Sequence, residues 1–92
     1  MSPGLPLTLP ARFAAPELRL AHEQLLAARA GNATLDVDGS QVERIDSAAA
    51  QWLVLLLTQP EARALLSSAR FSEALVRSLA LMGLSEEALA VG

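Results

Sequence analysis

Apolar residues near the start of the chain alternate with other residues, as they do in a strand. Leu5, Leu7 and Leu9 are separated by proline and threonine, and this period of two predicts a short strand. Because proline cannot donate a hydrogen bond to a neighbouring strand, we expect this strand at an edge of the sheet. The same alternation over residues 33–38 predicts a second strand, and a third is predicted within residues 63–67.

Three other segments have the three- and four-residue spacing of helices. The first helix is predicted to begin near Pro16 and to end at Gly31-Asn32. Its inward stripe is predicted to contain Leu18, Ala21, Leu25 and Ala28, widened by Leu26. The second helix is predicted to run from Ser47 to just before Pro60.

The third helix is predicted to be capped by Ser67 or Ser68 and to stop at Gly83. Its inward face is predicted to consist of Phe71, Leu75, Leu79 and Met82. Residues 85–90 are expected to add one more helical turn.

The predicted elements follow one another as strand, helix, strand, helix, strand, helix over residues 1–92. This order is typical of an α/β fold in which helices pack on a short, mostly parallel sheet and right-handed crossovers join the strands. Since the chain has 92 residues and no visible linker or repeat, we expect a single small layered domain.

The second helix is apolar on nearly every side. Gln51 is the only polar residue between Ala48 and Leu57, whereas a surface helix normally has a polar face opposite its apolar stripe. A chain of this length has little material with which to cover such a helix. We therefore expect part of its surface, including Trp52, to bind a partner or a second copy of the chain. The alternative is that neighbouring elements of the same chain enclose it.

Composition narrows the range of partners. The net charge is −3 and the seven basic residues are all arginines spread along the chain, so nucleic acid is not expected as a ligand. Cysteine is absent, which excludes disulfides and thiolate sites. No apolar run approaches the roughly 20 residues of a membrane span, and residues 1–10 lack the basic start of a signal peptide. We expect a cytoplasmic protein without membrane insertion.

No set of residues predicts catalysis, a metal site or a cofactor. His22 is the only histidine, and the chain has no Gly-x-Ser-x-Gly elbow that would present a nucleophile to it. We expect His22 to be a partly exposed helix residue. Residues 36–39, Asp-Val-Asp-Gly, lack the remaining ligands of a calcium loop. The protein is therefore predicted not to be an enzyme.

The middle of the chain contains a strand that ends in aspartate, a turn, an Ile-Asp-Ser step and a leucine-rich helix. The residues concerned are Leu35-Asp36, Val42, Ile45, Asp46, Ser47 and Leu53. This arrangement resembles the signature of the STAS domain family, which includes anti-sigma-factor antagonists and domains attached to anion transporters. The later Met82-Gly83-Leu84 is similar to the close of that family's last helix, so the resemblance covers residues 5–90.

Two features depart from the antagonists of that family. Ala48-Ala49 stands where those proteins usually have Ser or Thr followed by Gly, and the segment 58–62 is short. The alanine-rich start of the second helix looks more like short bacterial STAS proteins, including the STAS subunit of the Mla phospholipid-transport complex. The resemblance therefore leaves two functions open. One is an antagonist-like regulator, and the other is an accessory subunit of an ABC transporter.

The start of the second helix is the candidate functional site. Unpaired N–H groups and the positive end of the helix dipole meet there, and either Asp46 or Ser47 could cap them. In the family that the chain resembles, the serine at the position of Ser47 is phosphorylated by a partner kinase. A phosphate would add roughly −1.5 to −2 charges beside an apolar surface. We predict that phosphorylation would change binding rather than the fold.

The resemblance and the apolar helix together predict a partner-binding surface. Its residues are predicted to be Asp46, Ser47, Ala48, Gln51, Trp52 and Leu55, with Ser47 as the candidate phosphorylation site. The expected partner is a protein, either a kinase or anti-sigma-like protein or the ATPase of a transporter. A homodimer is a further possibility.

Overall fold

The computed structural model of the chain describes residues 4–90, so residues 1–3 and 91–92 of the predicted domain lie outside the described part. The elements are β1 (Leu5–Thr8), β2 (Arg12–Phe13), α1 (Ala15–Ala30), β3 (Leu35–Gly39), β4 (Arg44–Ile45), α2 (Ser47–Thr58), α3 (Pro60–Arg63), β5 (Leu66–Phe71), α4 (Glu73–Leu81) and α5 (Glu86–Leu89).

The strands form a three-stranded and a two-stranded sheet, and all of their pairings are parallel. The larger sheet has the order β1-β3-β5, and the smaller one pairs β2 with β4. This confirms the predicted α/β fold with a short parallel sheet, and β1 lies at an edge, as expected for a strand that contains Pro6. The sequence does not predict β2 and β4, because two residues are too few to show a period.

The helices pack on one face of the larger sheet around a single apolar core. Leu35 and Val37 of the central strand are completely buried there, together with Phe13 and Leu53. The opposite face of the sheet is polar. On that face Arg70 and Asp38 are in register and form an ion pair at 3.3 Å. The domain therefore has two layers, one of helices and one of strands.

The first helix matches its prediction except at one position. In its predicted inward stripe, Ala21, Leu25 and Ala28 are buried and Leu18 is half-buried. Leu26 is 50% exposed, so the prediction that it widens the stripe is wrong. It follows Leu25 directly and therefore lies about 100° further around the helix axis, away from the sheet.

The third strand lies further along the chain than its predicted range, residues 63–67. After α2 ends, Pro60 opens the additional short helix α3, which delays the strand until Leu66. Arg63, the last residue of α3, donates from its guanidinium group to the carbonyl oxygens of Leu57 at 2.8 Å and Ala88 at 2.6 Å. These bonds fix α3 against the end of α2 and against α5.

The displaced strand changes the start of the last long helix. Ser72 caps α4 by accepting the Leu75 N–H at 3.1 Å, so the prediction that Ser67 or Ser68 is the cap is wrong. Both of those serines belong to β5, where Ser68 donates its hydroxyl hydrogen to Asp36. Phe71, which was expected on the inward face of the helix, is the last residue of the strand.

The end of α4 is only partly as expected. Leu75 and Leu79 are buried, and Gly83 ends the helix with a φ of +93°. Met82 is 47% exposed, which corrects its assignment to the inward face. It lies one residue beyond the last helical residue, so the helical spacing no longer directs it to the core. The expected extra turn is α5.

Over residues 4–90 no helix combines the length and the apolar character that crossing a membrane requires.

Candidate functional site

The carboxylate of Asp46 holds the start of α2. Its Oδ1 accepts the backbone N–H of Ala49 at 2.8 Å and so caps the helix. Its Oδ2 accepts the N–H of Ala15, the first residue of α1, at 2.9 Å, and Ala14 at the N-cap of α1 supplies no side-chain cap. One carboxylate thus satisfies N–H groups at the starts of two helices, where the helix dipole favours an anion.

Ser47 is the first residue of α2 and not its cap. Asp46, before it, has the extended backbone of an N-cap, with φ −92° and ψ 176°, so the structure decides between the two caps that the sequence left open. The side chain of Ser47 is exposed. Among residues 4–90 its hydroxyl takes part in no side-chain hydrogen bond. The hydroxyl is therefore accessible to a partner.

An exposed stripe runs along α2 from its first residue. It consists of Ser47, Ala48, Gln51, Leu55 and Thr58, all of which are exposed and none of which is charged. The opposite side of the helix is buried and contains Ala49, Ala50, Leu53, Leu56 and Leu57. Four residues predicted to bind a partner, Ser47, Ala48, Gln51 and Leu55, therefore share one accessible face.

The burial of α2 corrects the expectation that this helix exposes much apolar surface. Leu53 is completely buried, Trp52 and Val54 are half-buried, and Leu55 is the only large apolar residue of the helix that is exposed, at 54%. The sheet, α1, α4 and α5 all contact α2 or share its core. The alternative in which the chain itself covers the helix is thus correct for most of its length.

Trp52 links α2 to its neighbours. Its ring meets Phe13 edge-on, with 5.9 Å between the ring centroids, and its Nε1–H donates to Nδ1 of His22 on α1 at 3.1 Å. His22 lies on α1 and is exposed, which agrees with the prediction of a partly exposed helix residue. The sequence did not predict its bond to Trp52, because no local pattern relates positions 30 residues apart. Trp52 therefore has a structural role within the monomer.

A groove lies beside Ser47, between α2 and α4. It has a volume of about 380 Å³, and its α2 wall is formed by Ser47, Ala50 and Gln51, with Ile45 and Asp46 before the helix. The opposite wall, called the α4 wall, is formed by Ser78 and Leu81 of α4 and by Met82, which directly follows the helix. We call this surface the Ser47 groove.

The α4 wall of the Ser47 groove is the part that sequence reasoning missed. Leu81 is 86% exposed and Met82 is 47% exposed, so the largest exposed apolar side chains near Ser47 come from α4. One signal was available: Leu81 directly follows Ala80 and lies off the stripe of Leu75 and Leu79. An apolar residue off the stripe at a helix end points to an exposed surface.

The arrangement around Ser47 suits binding rather than covalent chemistry. The imidazole of His22 is bonded to Trp52, and both oxygens of Asp46 are bonded to backbone N–H groups. Neither group is therefore poised to activate the Ser47 hydroxyl. In the part of the chain that the structure describes, no group of three or more His, Asp and Glu residues could hold a metal ion.

A larger cavity of about 470 Å³ lies between α1 and α3, with His22 and Leu26 in its lining, and it includes none of the predicted site residues.

Comparison with known proteins finds one family. The family model described as "Mlab, STAS domain" matches residues 7–91, which includes every residue of the Ser47 groove. No curated protein and no solved structure matches the chain.

Proposed function

This chain belongs to the STAS domain family, whose members are regulatory or binding modules, and on that premise we propose that it binds a protein partner through the Ser47 groove. The observation that carries the proposal is the combination of an uncharged exposed stripe on α2 with two exposed apolar side chains, Leu81 and Met82, across the groove. Exposed apolar surface of this kind is typical of interaction sites.

The charge distribution supports the same surface. Positions 47–60 carry no charged residue, so a partner can cover the exposed stripe of α2 without desolvating an ion. Leaving a buried charge unpaired costs several kcal/mol, whereas covering a large apolar side chain is favourable by about 1.5–3 kcal/mol. Asp46 at the edge of the groove is already satisfied by two N–H groups.

For the partner, we propose the ATPase of an ABC transporter of the phospholipid-transport type. The matching family model has the Mla description, and Ala48-Ala49 replaces the Ser/Thr and Gly that follow the serine in antagonists of the family. Both features favour an accessory subunit. In this function the domain is not an enzyme but stabilises or regulates the ATPase by docking on it.

A second candidate function is a phosphorylation switch at Ser47 with a kinase or anti-sigma-like partner. It is supported by the exposure of the Ser47 side chain and by its position as the first residue of α2. A phosphate at a helix start is favoured by the dipole, but here it would stand against the apolar wall of the groove. It would therefore oppose docking and leave the fold unchanged.

The test uses the intact chain and the purified transporter ATPase of the same organism. We expect Leu81→Glu to weaken binding in isothermal titration calorimetry by about ten-fold or more, because a central apolar contact is replaced by a charge. Leu20→Glu is the matched control, since Leu20 is also exposed, at 63%, but lies on α1 outside the Ser47 groove. Its affinity should equal that of the wild type.

Ser47→Asp tests the α2 side of the Ser47 groove in the same assay. It should weaken binding while the thermal unfolding curve followed by circular dichroism stays nearly unchanged. Equal affinities for wild type, Leu81→Glu and Ser47→Asp would contradict the proposal that this groove is the docking surface. Binding to a kinase-like protein and not to the transporter ATPase would favour the switch.

A further inference from the structure

In the part of the chain that the structure describes, the outer side of β5 has no neighbouring strand and is open for pairing. We propose that a second copy of this chain pairs with it, antiparallel, through β5, so that two three-stranded sheets become one continuous sheet. This surface is separate from the Ser47 groove, and the inference does not depend on the function proposed for that groove.

The backbone of β5 presents unpaired groups on its outer side. The Ser72 N–H donates to Gly39 of β3, and the backbone groups of successive strand residues point to opposite sides. The N–H and C=O groups of Arg70 and Ser68 therefore face β3, and those of Ala69 and Phe71 face outward. Among residues 4–90 no other strand pairs with β5, so these outward groups are available to another strand.

The other edge of the sheet is protected against such pairing. In β1 the N–H of Leu5 donates to Thr34, and that of Leu9, just beyond the strand, donates to Asp38. Pro6 and Thr8 therefore face outward. Pro6 has no N–H to donate, and proline is a common device for blocking an edge strand. The sequence Leu66–Phe71 of β5 contains no proline and only one charged residue. Its pairing with β3 is irregular between Leu66 and Ser68, so the regular and unprotected part of this edge is residues 68–71.

The strand is complementary to itself in one antiparallel register. When Ala69 lies opposite Ala69 of the second copy, the two residues exchange a pair of N–H···O=C bonds across the two-fold axis. Ser68 then lies opposite Arg70 of the second copy, and no like charges meet. The neighbouring register would place Arg70 opposite Arg70, which is unfavourable. The charge pattern therefore excludes the register centred on Arg70, and the proposed dimer uses the neighbouring register centred on Ala69.

Such a dimer would carry two binding sites. In each copy the chain leaves the carboxyl end of β3, passes through β4 of the smaller sheet and enters α2, where the Ser47 groove lies. Because the two copies are antiparallel, their grooves would lie toward opposite ends of the joined sheet. The assembly could then engage two partner molecules at once.

The register can be tested by cross-linking, because the chain contains no cysteine. In the proposed pair the Cα atoms of the two Ala69 residues are about 5.5 Å apart, within the range that a disulfide spans. We expect Ala69→Cys to form a disulfide-linked dimer under mild oxidation. Thr8→Cys, exposed on the outward side of β1, is the matched control and should cross-link at least ten-fold more slowly.

Sedimentation of the wild-type chain tests the dimer without any substitution. The mass should rise from 9.7 kDa toward twice that value as the concentration is raised from about 10 µM to about 1 mM, because dimerisation follows mass action. In hydrogen exchange, the amides of Ala69 and Phe71 should become more protected over the same range. A mass that stays at 9.7 kDa, or equal cross-linking rates at Ala69→Cys and Thr8→Cys, would overturn the proposal.

Discussion

At the scale of single residues, Asp46 has the most far-reaching contacts of the site. Its two oxygens join the start of α2 to the start of α1, 31 positions earlier in the chain. The aspartate next to Ser47 is therefore explained by the fold alone. Among residues 4–90, the Ser47 hydroxyl takes part in no such bond, so the fold does not account for it in the same way.

This difference predicts opposite results for two neighbouring substitutions. Asp46→Ala should lower the free energy of unfolding by about 2 kcal/mol, since it removes two hydrogen bonds at helix starts. Ser47→Ala should change it by less than about 0.5 kcal/mol. Urea denaturation followed by circular dichroism measures both. A larger loss from Ser47→Ala would mean that the hydroxyl, and not the carboxylate, caps α2.

Asp38 makes the stability of the folded protein depend on pH, and the direction of that dependence follows from its hydrogen bonds. Ser40 donates its hydroxyl hydrogen and its N–H to Asp38 at 2.6 and 3.0 Å, and these bonds, with a smaller effect of Arg70, lower the pKa of Asp38 below 3.8. A carboxyl group whose pKa is lower in the folded state adds stability above its unfolded pKa. That contribution disappears as the pH falls through its folded pKa.

Ser40→Ala should therefore make the protein less stable at neutral pH but not in strong acid. The melting temperatures of the variant and the wild type should converge as the pH falls through the lowered pKa of Asp38, because the carboxyl group is then protonated in both. A series of thermal melts from neutral to acid pH measures this. A difference that stayed constant through the acid range would show that Ser40 acts independently of Asp38.

At the scale of elements, α1 and α4 are both followed by a glycine, but the backbone leaves the two helices in different conformations. At the end of α4, Gly83 itself has a φ of +93°. At the end of α1, Gly31 has a φ of −91°, and Asn32 adopts the left-handed conformation with a φ of 54°. The sequence predicted both helix ends correctly, but only one of the two glycines is required by its backbone conformation.

Substitution by alanine distinguishes the two glycines. Gly83→Ala should cost about 1 kcal/mol, because a side chain disfavours a positive φ, although nothing lies within 4 Å of the new Cβ atom. Gly31→Ala should change the stability by less than about 0.5 kcal/mol, since its new Cβ atom would make only an ordinary contact with Ala27 O at 3.4 Å. Denaturant unfolding of both variants gives the comparison. Equal losses would contradict this assignment.

The elements also show where reading a local pattern fails. The prediction of β5 was displaced because Pro60, which ends α2, also begins α3. The serines of β5 were assigned to a helix cap, because Ser67 and Ser68 have the right chemistry for one. Ser72 has that chemistry too, and its hydroxyl is the one that meets a helix start, at Leu75. Several nearby residues can fit the same local rule, and the contacts of the fold select one.

At the scale of the whole molecule, the central idea about the second helix had to be revised. Its leucines are mostly enclosed by the sheet and the other helices, and the exposed apolar side chains of the site stand on α4, at Leu81 and Met82. The docking surface that we propose remains centred on Ser47, but it is a groove between two helices and not one face of a single helix.

The sequence by itself determined the order of strands and helices, the α/β class, the uncharged character of α2 and the family signature around Ser47. These features depend on periodicity, capping chemistry and motifs, which act over a few neighbouring residues. The tertiary structure alone decided that Asp46 also caps α1, that Trp52 bonds to His22 and that Leu81 lines the same groove as Ser47. It also decided that no strand among residues 4–90 lies on the outer side of β5. Each of these depends on how segments distant in the chain pack together, because close packing sets which side of an element is covered.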